Sequence, residues 1–211
     1  MRKVMFNDKY HLTQAVLNGR KTMTRRIVPQ CILDKVEEYR QEYYEATFEY
    51  ISFEDAILNM VIGERMFWSY VFHVGEEVAV AQSYKKLIDQ GYFRAENGLI
   101  PVELCEGDAY DNKMFVRADF MPHRIRITGI KLERLQDISD EDCMKEGIMR
   151  RVIRMEGIKD LVTVFGYRTV KGDNFNFSHP RGAFASLIDK VSGKGTWERN
   201  PWVLVYSFHR V

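Results

Sequence analysis

Gly19-Arg20-Lys21-Thr22-Met23-Thr24-Arg25-Arg26 follows a segment in which Leu12, Ala15 and Val16 recur at i, i+3 and i+4. That spacing predicts a helix with Asn7 or Asp8 as its N-cap. Gly19 ends it, because glycine takes the left-handed conformation of a helix terminus without a side-chain penalty. The residues after Gly19 therefore leave the helix as a turn or strand. They form a positioned loop carrying four cations and two hydroxyls in eight residues, with no carboxylate among them. Lys3 to Phe6, on the other side of the helix, reads as a strand.

Farther along, Ile32, Val36, Tyr39, Tyr43, Ala46 and Tyr50 recur at three- and four-residue steps, which predicts a helix with one buried face over Cys31 to Tyr50. Its other face is acidic and should repel nucleic acid, so the segment is expected to be a peripheral insertion spanning 27–70. A second helix is expected from Phe53 to Ile62. Val74 to Gln82 reads as a turn and then a strand, 84–90 as a short helix, and 91–119 as irregular. In His123 to Ile130, Ile125 and Ile127 alternate with Arg124, Arg126 and Thr128, the period of a half-buried strand with one basic face. Ser139 opens a helix with three carboxylates in its first turn, where the macrodipole favours them, and Gly147 closes it. Residues 148–180 hold Arg150, Arg151, Arg154 and a hairpin around Leu161 to Val170, and are expected to be a second insertion. Ala183 to Val191 is helical by its Phe184, Leu187, Ile188, Val191 spacing. Trp202 to Phe208, apolar almost throughout, suits a strand buried on both faces. The expected fold class is α+β, a single domain over 1–211 in which separated strands can close a small barrel flanked by helices.

The 211 residues include 31 Lys and Arg against 30 Asp and Glu, so the formal net charge of +1 selects no partner by bulk electrostatics. A hydrophobic share of 45% is ample for one core and excludes disorder. The uncharged run from Met66 to Gly75 is about half of a bilayer-spanning helix, and the apolar start before Asn7 is too short for a signal-peptide core. A cytoplasmic location is expected. Cys31, Cys105 and Cys143 are scattered and odd in number, which suits small core hydrophobes in a reducing compartment.

No phosphate-binding P-loop, dinucleotide fingerprint, HExxH or GxSxG occurs. His11, His73, His123, His179 and His209 show no ligand spacing with one another or with the cysteines, so neither metal nor cofactor is expected. The 20–26 loop remains open to three uses. It can be a solvated basic loop. It can hold phosphate, through the arginine forks and the lysine point charge. It can also do chemistry, since neighbouring cations lower the pKa of Lys21 and suit it to act as a base toward Thr24. A regular strand would send Lys21 and Thr24 to opposite faces, so chemistry requires a turn between them.

Taken in order, several motifs resemble the ASCH-domain proteins of the bacterial and prophage type. They are Gly19 to Arg26 after a helix, the Gly75 to Gln82 strand, Met121-Pro122 before a strand, Arg134 to Ser139 leading to Glu146-Gly147, and the final Trp197-Glu198-Arg199-Asn200-Pro201-Trp202 strand. The resemblance covers roughly 3–26, 72–84, 121–148 and 182–209. It implies a PUA-like β-barrel and recognition of RNA or of a modified nucleoside. One expectation is therefore an RNA- or nucleotide-binding module using Arg20, Lys21, Arg25, Arg26, Arg124 and Arg126, with Gln82 and Ser83 completing the contact set. Trp68, Tyr84 and Trp197 are candidate stacking platforms. The other expectation comes from the small members that hydrolyse N4-acetylcytidine, whose catalytic Lys, Thr and Glu match Lys21, Thr24 and Glu146. The resemblance then implies Thr24 as nucleophile, Lys21 as its base and Glu146 as the group that orients Lys21 or relays a proton. Two departures stand beside it: Gln82 replaces a common carboxylate and cannot act as a base, and the chain is about twice as long as the small hydrolases.

Overall fold

A computed structural model describes residues 1–60, 71–93, 102–154 and 160–211. Its strands are β1 (Arg2–Val4), β2 (Met23–Ile27), β3 (Glu77–Val80), β4 (Arg124–Arg134), β5 (Met149–Arg154), β6 (Leu161–Thr169), β7 (Gly172–Phe177) and β8 (Trp202–Arg210). The helices are α1 (Leu12–Leu17), α2 (Gln30–Thr47), α3 (Phe53–Leu58), α4 (Tyr84–Asp89), α5 (Val102–Cys105), α6 (Asp140–Lys145), α7 (Pro180–Ser192) and α8 (Thr196–Arg199).

The strands form two sheets, one of five strands in the order β1-β3-β4-β8-β2 and one of three in the order β5-β6-β7. The class is α+β, as the sequence pattern predicts. The closed barrel is not: β1 and β2 are the edges of the large sheet, and no ladder joins them among the described residues. Among the described strands only β1 with β3 is parallel. The long β4 pairs with β8 along nearly its whole length, with a register shift between Ile127 and Gly129. Strand β8 is internal, flanked by β4 and β2, and its Val203 and Val205 are fully buried. That position explains its uninterrupted apolar run, because both of its faces are covered. Residues Val4, Phe6, Val16, Ile125, Ile127, Phe184, Leu187 and Tyr206 belong to one core cluster.

The described part of the 27–70 segment is not peripheral. In α2, Ile32 and Val36 enter the main core, as do Ala56 and Ile57 of α3, and Phe53 stacks on Trp202 at 5.6 Å. The predicted buried face of α2 nevertheless stops at mid-helix. Ala46 is exposed, since the C-terminal half of α2 runs past the core, and Tyr50 is exposed beyond the helix, which ends at Thr47. The end of the predicted Phe53 to Ile62 helix lies outside the described residues, as does Trp68. Within 148–180 the described strands β5, β6 and β7 form a three-stranded sheet rather than a lone hairpin, and Tyr167 of β6 is buried in the main core. No helix among the described residues is long and apolar enough to cross a membrane.

Candidate functional site

The basic loop is fixed by its backbone. Gly19 has φ +70°, the left-handed value that ends α1, and the N–H groups of Arg20 and Lys21 both donate to the Ala15 carbonyl at 2.9 Å. Thr22 N–H donates to Lys145 O at 3.0 Å and Phe208 N–H to Thr22 O at 2.9 Å, which ties the loop to the end of α6 and to β8. The chain therefore turns at 20–22 before entering β2. This is the turn that Lys21 and Thr24 require to face one site, and both line a cavity of about 310 Å³ together with Arg25, Arg26 and Glu146.

Glu146 reaches this cavity because of how α6 begins and ends. The Ser139 hydroxyl accepts the Asp142 N–H at 3.1 Å, and Asp140, Glu141 and Asp142 fill the first turn. Gly147 follows with φ +110°, and a Cβ there would lie 3.3 Å from Leu12 Cδ2 and 3.8 Å from Lys21 Cδ. Only glycine fits both that conformation and that approach.

Lys21 is 3% exposed, and its ammonium donates to Met23 O at 2.8 Å, Glu146 O at 2.9 Å and Glu146 Oε2 at 2.5 Å. Burial pushes the Lys21 pKa down, with Arg26 and Arg25 acting the same way, while Glu146 opposes the shift. Lysine and carboxylate thus behave as one unit. The two groups meet as a buried ion pair, nitrogen and oxygen 2.5 Å apart.

Arg25 is the second buried cation. Its Nη1 donates to Glu146 Oε1 at 3.1 Å, its Nη2 to Glu133 Oε1 at 2.6 Å and Asp142 Oδ2 at 3.2 Å, and its Nε to Glu133 Oε1 at 2.9 Å. The register places Arg25, Val205 and Lys131 in one cross-strand row, with Glu133 two residues further on the same face. Burial would lower the Arg25 pKa, but Glu146 and Glu133 more than reverse this. Glu146 is therefore held by two cations, one on each oxygen. Opposite this ionic floor, α7 contributes Phe184, Leu187, Ile188 and Val191 to the cavity wall.

The remaining sequence-predicted residues are elsewhere or already engaged. Arg20 Nη1 donates to Gly147 O at 2.6 Å and braces the α6 terminus. Arg124 and Arg126 do not line the cavity; both pair with Glu77, at 3.9 and 2.5 Å. Gln82 is fully buried away from the cavity, its Oε1 without a hydrogen-bond partner among the described residues. Ser83 caps α4 by accepting the Lys86 N–H. Tyr84 is buried and its hydroxyl accepts the Arg117 N–H at 3.0 Å, while Trp197 packs edge-on against Phe184. Cys143 is buried, and burial pushes its thiol up to about 12, so it is no nucleophile near neutral pH. Cys31 and Cys105 are exposed rather than in the core.

Sequence reasoning missed Glu133 and the part Asp142 plays with Arg25. They lie 108 and 117 residues from Arg25, and no local pattern announces such pairs. The apolar spacing of α7 was visible, but not that four of its residues would face the cavity. Comparison with protein-family models, curated proteins and solved structures gives no match.

Proposed function

We propose that the protein is a hydrolase of amide bonds, with an acylated nucleoside of the N4-acetylcytidine kind as its substrate class. The observation that carries this reading is the buried Lys21–Glu146 pair, 2.5 Å apart, in the wall of the cavity that Thr24 also lines. The nucleoside half of the substrate rests on the ASCH resemblance of the motifs.

In this mechanism Glu146 takes a proton from Lys21, which leaves an amine able to accept the Thr24 hydroxyl proton. Thr24 Oγ1 then adds to the carbonyl carbon. The C–N bond breaks as Lys21 returns a proton to the leaving nitrogen, and an acyl ester remains on Thr24. Water, deprotonated by Lys21, attacks that ester and releases the carboxylic acid, restoring the Thr24 hydroxyl. The sum is amide plus water giving acid plus amine.

Phosphate-mediated RNA binding is the less supported reading. Of its proposed cations, Lys21, Arg20, Arg25, Arg124 and Arg126 already have protein acceptors, which a phosphate would have to displace. The test is incubation of wild type and Lys21→Ala with N4-acetylcytidine and a panel of acylated nucleosides, following deacylation by chromatography. Turnover by wild type alone is expected. Turnover retained in Lys21→Ala, or absent from wild type across the panel, refutes the reading.

A further inference from the structure

Hydrolysis at Thr24 also needs a binder for the carbonyl oxygen and for the acyl chain, and the cavity offers two features for them. The first is Arg26. Its Nη2 donates to Met5 O at 2.8 Å, but among the described residues its buried Nε has no hydrogen-bond partner and the guanidinium no ion pair. Its neighbour Arg25 meets three carboxylates. Burying a guanidinium without a counter-charge is costly, and an acceptor oxygen that gains negative charge would offset that cost. Burial depresses the Arg26 pKa, and the more distant Glu146 and Tyr206 offset this only in part. The second feature is the apolar side of the cavity. Leu187 and Ile188 of α7 line it, and Met5, Ile27 and Val191 stay 37 to 38% exposed around it. Arg26 and the apolar wall thus border one space of about 310 Å³.

An acyl group has the two matching halves, a carbonyl oxygen and a hydrocarbon chain. We propose that Arg26 and the apolar wall of α7 form an acyl subsite, which selects substrates with short apolar acyl groups over acetyl. The inference rests on the amidohydrolase reading for its chemistry. Arg26 Nε donates to the carbonyl oxygen, which gains negative charge as Thr24 adds and loses it as the C–N bond breaks. Leu187, Ile188 and Val191 cover the chain.

The test uses N4-acetyl-, propanoyl-, butanoyl- and benzoylcytidine with wild type, Arg26→Met, Arg26→Lys and Val191→Ser. In wild type, kcat/KM should rise about fourfold per methylene up to butanoyl, the equivalent of ~0.8 kcal/mol per buried CH₂. Arg26→Met should lower kcat by about 10²- to 10³-fold. Arg26→Lys keeps the charge without the Nε donor and provides the same comparison if the methionine variant does not fold. Val191→Ser should flatten the chain-length dependence. A second arm titrates butanoate and benzoate into wild type and Arg26→Met by NMR, with binding at least about tenfold weaker expected in the variant. Turnover with a flat series, or with kcat unchanged in the Arg26 variants, overturns the subsite and leaves the hydrolase reading standing. Arg26-dependent carboxylate binding without turnover of any substrate overturns the hydrolase and retains the subsite. Neither turnover nor carboxylate binding by wild type overturns both.

Discussion

Arg25 and Arg26 on β2 and Arg124 and Arg126 on β4 are two arginine pairs on strands of one sheet, and the structure uses them in opposite ways. The β4 pair is partly exposed and shares one carboxylate, Glu77. Water and salt screen such a pair, which contributes little to either fold or function. On β2, burial makes each partner count. Arg25 is held by Glu133, Asp142 and Glu146, and Arg26 is left with an unspent donor at the cavity wall. Solvent exposure, rather than charge pattern, decides whether a basic strand becomes a site.

Removing a partner on the buried side should expose this difference most. Glu146→Ala leaves Lys21 without its carboxylate and Arg25 with one fewer. A loss of about 3–5 kcal/mol is expected in chemical denaturation, and a loss below 1 kcal/mol would mean that the floor is wetter than the structure implies. Gly147→Ala should come next, at about 1–3 kcal/mol, because alanine strains at φ +110° and its Cβ meets Leu12. Its turnover should fall as well, since Glu146 shifts with the terminus of α6.

A smaller effect concerns acid. Burial alone would raise the Asp142 pKa, but Lys131 and Arg25 outweigh it and hold the carboxyl below its ordinary range. A carboxylate with a depressed folded-state pKa stabilises the protein above its unfolded value, and that contribution fades as pH falls through the folded value. Asp142→Asn should therefore lower Tm at neutral pH and lose less stability than wild type as pH falls below the ordinary carboxylate range of about 4. Parallel Tm curves for the two proteins would show that Asp142 carries no such linkage. Arg126→Ala, on the exposed side, should change neither Tm nor turnover measurably, and a deacylation assay beside a thermal melt checks both. A large effect there would erase the contrast between the strands.

Much of the fold was legible because it rests on short-range rules. The αL glycine ending α1, the Ser139 cap with its acidic first turn, the alternation around Ile125 and Ile127, and the apolar run of β8 each reflect the period or terminus of one element. The sheet edges and the depth to which α2 and α3 enter the core were not legible. Edge pairing between β1 and β2 is a long-range matter, and the tyrosine spacing of α2 continues past the point where the core ends. Within the site, Lys21, Thr24 and Glu146 were named through their resemblance to a known motif. The same reasoning placed Arg124, Arg126, Gln82 and Ser83 in the contact set, although the structure pairs, buries or caps with each of them outside the cavity.

The sequence by itself determined the α+β class, most of the strand and helix positions, and a concentration of cations and hydroxyls directly after a helix-ending glycine. Those properties follow from backbone conformation and side-chain periodicity, which act over a few residues. Tertiary structure alone decided which cations were desolvated, which carboxylates met them and where apolar α7 side chains faced an ionic floor. Electrostatic strength depends on burial and on distances between residues more than a hundred positions apart, and a linear sequence carries neither.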